Sequence, residues 1–94
     1  VRLSDLQVGD LVIEGFEEDF LKYLVISVDP LKKQTVRFDI MVLSFSADGH
    51  MGSTVDHKLG PVSVAWSDYA YATGTPAGYR IKIIRQGEVI FERM

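Results

Sequence analysis

The sequence predicts an all-β protein, and three observations carry that prediction. Apolar and polar residues alternate at a spacing of two, as in Val36-Arg-Phe-Asp-Ile40 and Val62-Ser-Val-Ala-Trp66, which is the period of a strand with one face on a core. Turn formers separate such segments at short intervals, among them Gly9-Asp10, Asp29-Pro30 and Gln86-Gly87. No segment sustains the 3.6-residue apolar period of a helix, so helix content is expected to be minor at most.

The elements follow in chain order. Ser4 to Asp10 reads as a short turn closing into a bend, with Gly9 free to take a positive φ and Asp10 able to accept from nearby amides. Leu11-Val-Ile-Glu14 starts the first strand, and Gly15 is expected to break it. Glu17-Glu-Asp19 reads as a loop or single helical turn pinned by Phe16 and Phe20. The second strand runs from Leu21 to Asp29, with Leu24, Ile26 and Val28 on one face and Tyr23, Val25 and Ser27 on the other. Pro30 and two lysines turn the chain into a third strand from Thr35 to about Phe45. There Val36, Phe38, Ile40 and Val42 share a face opposite Arg37 and Asp39, and Met41, Leu43 and Phe45 make the second face apolar too. A strand that changes character in this way suits a strongly bent position in a small barrel.

Ala47 to Ser53 is rich in breakers, and Thr54 to Leu59 has the composition of a short strand. Pro61 to Trp66 is a clearer one. Residues 67–78 hold two glycines and Pro76 and read as irregular. Tyr79 to Arg85, Gln86-Gly87 and Glu88 to Arg93 then read as a β-hairpin with a tight turn. Six or seven short strands bury one face by closing on themselves or by stacking, and their number, length and bend favour a small barrel over a sandwich.

Composition bounds the function. The 94 residues suit one domain spanning 1–94, and 47% hydrophobic residues exceed what a disordered chain carries. Apolar runs such as Ile40 to Leu43 fall far short of the ~20 residues of a membrane helix. No basic-then-apolar leader is visible after Val1, and the location is left unassigned. The absence of cysteine excludes disulfides, thiolate metal sites and cysteine nucleophiles. A net charge of −3 argues against a general nucleic-acid binder. That charge is uneven: residues 1–20 hold six acids against Arg2, whereas the remainder holds seven acids and nine bases.

The run Leu6-Gln-Val-Gly-Asp10-Leu-Val, followed by Tyr23-Leu-Val-Ile-Ser-Val-Asp29 and Thr35-Val-Arg-Phe-Asp39, resembles SH3-like barrels of the KOW and Tudor type. Small phage-encoded barrels look similar. The resemblance covers about residues 3–45 and implies an SH3-like barrel, here with an extended loop region at 46–78 and a C-terminal hairpin. It implies a non-enzymatic interaction or structural module, with an accessory place in a viral assembly as one form. The alternative it carries is nucleic-acid binding by a KOW-type barrel through the basic hairpin. Gly-Asp turns also open Hint domains, but this chain lacks the nucleophile and histidine motifs of that activity.

Candidate chemistry is sparse. His50 and His57 follow Asp48 and Asp56 closely, but the spacing matches no ligand motif, so no metal site is assigned. Ser63, Ser67 and Thr73 with Asp68 supply triad residue types without a triad pattern, and no catalytic residue is assigned. The glycines of 49–52 and 74–78 lack a P-loop lysine, and no cofactor is implied. Trp66, Tyr69 and Tyr71, with Phe16, Phe20 and Tyr23, have the residue types of an aromatic cage for a methylated ammonium. The simpler reading places Trp66 in the core and the tyrosines on the surface, where they suit a protein contact. Arg80 and Lys82 share a face of the hairpin and suit an acidic partner or phosphates. Trp66, Tyr69, Tyr71, Arg80 and Lys82 are therefore the candidate partner-binding residues. A protein partner, a larger assembly or a second copy is expected ahead of nucleic acid, and no membrane.

Overall fold

Six antiparallel strands form one sheet, in a computed structural model that describes residues 2–17, 19–30, 35–45, 59–67 and 77–93. They are β1 (Leu11–Phe16), β2 (Asp19–Pro30), β3 (Thr35–Phe45), β4 (Gly60–Ser67), β5 (Arg80–Arg85) and β6 (Glu88–Arg93). One 3-10 turn, Leu3–Asp5, precedes them, and the fold is all-β. The order across the sheet is β4-β3-β2-β1-β5-β6, so β1 lies between β2 and β5.

Every strand from β1 to β5 contributes to one continuous core on the inner face, including Val12, Tyr23, Phe38, Ile40, Val64 and Ile83. The extents of the molecule are nearly equal at 31 × 28 × 26 Å, whereas a flat sheet packs at only about 10 Å thickness. The sheet is therefore coiled around its inner face. Leu3 and Leu6 of the N-terminal turn are buried against the same core.

Two β-bulges in the β2–β3 ladder overturn part of the strand reading. In β2 the pairing steps from Val25 opposite Ile40 to Ser27 opposite Asp39, so Ile26 is an extra residue. Alternation changes phase there. Leu24 and Ile26 face outward, while Val28 returns inward to pack on the core and Ser27 turns out to bond Asp39. The expected common face of Leu24, Ile26 and Val28 is thus split by the bulge. In β3, Lys22 pairs with Ser44 and Tyr23 with Val42, leaving Leu43 extra and exposed. Phe45 consequently packs on the core rather than lying on the face of Met41 and Leu43.

Gly15 does not break β1, which continues to Phe16 with Gly15 opposite Phe20. The segment around Glu17 is the connection of a β1–β2 hairpin. The terminal hairpin lies where expected. Gln86 and Gly87 both take positive φ, 51° and 82°, the geometry of a two-residue hairpin turn whose twist matches its strands. The strand expected over Thr54 to Leu59 lies outside the described residues except for Leu59, which is exposed.

Candidate interaction surface

The outer face of the sheet carries an apolar row from one edge to the other. Pro61, Met41, Leu24, Leu11, Ile84 and Val89 are successive ladder partners on β4, β3, β2, β1, β5 and β6. Each flanks inward positions on its strand or pairs with a residue that does, so the row points away from the core. Leu24 and Val89 are 37% and 49% exposed, and Ile26, Leu43 and Ile90 beside the row are exposed as well. The outer face of an antiparallel sheet is ordinarily polar. Contiguous apolar surface there marks a contact site.

The neighbouring row is Ser44, Lys22, Ile13, Lys82 and Glu92, again in register. Lys82 Nζ lies 4.0 Å from Glu92 Oε2, and Arg80 Nη2 lies 3.7 Å from Glu17 Oε2. All four side chains are substantially exposed, so these pairs contribute little to stability and exchange readily with solvent or a partner. On the other side of the apolar row, Ser27 Oγ donates to Asp39 Oδ2 at 2.8 Å. That hydroxyl, then the Ser63 hydroxyl, hold the Asp39 carboxyl below its ordinary value against a smaller desolvation effect.

Arg80 and Lys82 also line a cleft of about 230 Å³ with Ile13, Phe16, Phe20 and Ile81. Ligand pockets commonly begin at about 300 Å³. The cleft, as lined by the described residues, falls below that range. Phe16 meets Tyr79 edge-on at 5.5 Å between ring centroids. Buried Glu14 also lines the cleft and accepts from the Tyr23 hydroxyl at Oε1, 3.4 Å away. Glu14 is one of the six acids of residues 1–20, and no special role is predicted for it. Its phase was the available signal, since it lies two residues after inward Val12.

Among the predicted partner-binding residues, Arg80 and Lys82 are brought together on one face and exposed to the cleft. Trp66 packs on the core, 5.9 Å from the Tyr23 ring and 5.7 Å from that of Phe38. Tyr69 and Tyr71 lie outside the described residues, as do His50, His57 and Asp68. The other residues weighed for an aromatic cage separate into two pairs, Trp66 with Tyr23 and Phe16 with Phe20. The first pair is bound into the core, and the second lines the cleft. Among the described residues no group of histidine or acidic side chains is placed to hold a metal ion, and no helix is long and apolar enough to cross a membrane.

One polar cluster is structural. Asp10, with its side chain 1% exposed, accepts Arg85 Nε at Oδ1 and Arg85 Nη2 at Oδ2, both at 2.9 Å. Its Oδ2 also accepts the Gln7 amide at 2.8 Å, and its backbone carbonyl accepts the Val25 amide. Burial pushes the Asp10 carboxyl up, but the Arg85 hydrogen bonds, the Gln7 amide and the Arg85 charge together hold it below its ordinary value. Asp10 was expected to bond nearby amides, as it does. Its arginine, 75 residues away, is visible only in the fold.

Comparison with protein-family models, with curated proteins and with solved structures gives no match.

Proposed function

We propose that this chain is a non-enzymatic protein-interaction module whose contact surface is the outer face of the coiled sheet. The observation that carries the reading is the apolar row from Pro61 to Val89, which crosses all six strands outside the core. A cooperative fold needs only the inner face of this sheet to be apolar, and exposed leucine, isoleucine and valine across the outer face favour association. Lys22 and Lys82 border the row and select for a partner with acidic groups beside an apolar patch. The resemblance of residues 3–45 to small phage-encoded barrels suggests a larger assembly as the setting. The net charge of −3 weighs against phosphate binding as the main role of the hairpin.

The test is capture of partners from an extract of the native source by wild-type protein and by the double variant Leu24→Lys/Met41→Lys. Partners recovered by the first and lost by the second support the reading. Equal recovery by both, with far-UV circular dichroism unchanged, overturns it.

A further inference from the structure

The two edges of the sheet differ in how they meet other chains. β4 carries Pro61, which has no N–H to offer an incoming strand. β6 carries no proline, pairs with β5 on one side, and has no described strand on the other. It also exposes Val89 and Ile90. Edge strands of this kind accept a further strand through their backbone groups.

From the pattern on that edge we infer that the partner strand is the β6 of a second copy, paired antiparallel about a two-fold axis. This rests on reading the chain as an interaction module and names one partner of it. β6 reads Glu88-Val-Ile-Phe-Glu-Arg93, with a glutamate at its first position and an arginine at its last. Reversing it on itself brings Glu88 of each copy opposite Arg93 of the other.

A bulge in the β5–β6 ladder is what allows this register. In a regular strand, residues five apart lie on opposite faces and cannot meet across a two-fold axis. In β6 the pairing steps from Ile84 opposite Val89 to Ile83 opposite Phe91, so Ile90 is an extra residue. Glu88 and Arg93 are therefore the partners of Arg85 and Ile81, which share one face of β5 with Ile83. Both ends of the strand present opposite charges on the same face. Val89 then stands opposite the partner's Glu92, and Ile90 and Phe91 fill the centre. Any isologous contact repeats each pair twice. One Glu–Arg attraction counts double, and so does one repulsion. Six residues of strand make a small interface, so the expected dimer is in concentration-dependent exchange with monomer.

Sedimentation equilibrium over a wide concentration range tests this with wild type, Glu88→Arg, Arg93→Glu and the combined variant. Wild type should move from 10.5 kDa toward twice that mass as concentration rises. Each single reversal should weaken association about tenfold, and combining them should restore it. A wild type that stays monomeric at millimolar concentration, or a combined variant no better than either single one, overturns the inference. Amide exchange on wild type alone supplies a second reading. Protection of the β6 amides should rise with protein concentration, and concentration-independent protection counts against the pairing. A monomer that still loses its captured partners through Leu24→Lys/Met41→Lys overturns the second-copy assignment and leaves the interaction module standing.

Discussion

β5 carries cationic side chains at both of its ends, and the two ends are held in different ways. At one end, Arg85 lays its guanidinium along the buried Asp10 carboxylate in two parallel 2.9 Å hydrogen bonds and also donates to the Asp5 carbonyl at 3.3 Å. At the other, Arg80 and Lys82 stand at 3.7 and 4.0 Å from exposed glutamates. Formal charge is the same in each case. The difference lies in the desolvation of Asp10, in the fork geometry that only arginine supplies, and in the Gln7 backbone amide that also holds the carboxylate. One end is a structural clasp, and the other is a charged surface able to change partners.

Removing the clasp should give the largest effect. Asp10→Ala is expected to cost about 3 kcal/mol, from two charge-assisted hydrogen bonds and a stranded Gln7 amide, read as a fall in urea midpoint at unchanged slope. Acid should remove the same contribution. Because the folded-state value of Asp10 lies below its unfolded one, its stabilisation is complete above the ordinary carboxylate value and disappears as pH falls through the lowered value. Urea titrations from neutral to strongly acidic pH should therefore show an acid-side loss that is shallower in Asp10→Asn. Arg85→Lys, which keeps the charge and gives up the fork, should lower the midpoint by only part of the Asp10→Ala decrement. At the opposite end, Arg80→Ala should change stability by no more than about 0.5 kcal/mol, and added salt should erase the change. A large Arg80 effect would show that the cleft end is built into the fold and undo the comparison.

The sequence was informative where its period was regular. The inward set Val36, Phe38, Ile40 and Val42 and the Gln86-Gly87 hairpin follow from alternation and turn chemistry acting within a few residues. It misled where a bulge shifted the phase. Nothing local in Val25-Ile-Ser27 announces an extra residue, because the bulge arises from pairing with β3. The outer apolar row takes a single residue from each strand, which is why it is hard to read from one strand at a time. The aromatic side chains looked alike in sequence, yet neighbouring strands assign them to different sites: Tyr23 and Trp66 to the core, Phe16 and Phe20 to the cleft. Long-range pairs such as Asp10 with Arg85 leave no trace in sequence spacing. Arg80 and Lys82 shared a face as expected because β5 is regular at that end.

The clasp also joins segments that are made far apart in time. Asp10 and Arg85 are 75 residues apart, and β1 takes β5 as one of its two neighbours. During synthesis from the N-terminus, β1, β2 and β3 can form a meander as soon as they emerge. The carboxylate of Asp10 then stays solvated and one side of β1 stays open until β5 is made. Non-local closure of this kind slows folding and prolongs exposure of an unpaired strand. A chain halted before Arg85 would therefore present the open side of β1 to other molecules. The step that completes the core is the same step that withdraws that edge from solution.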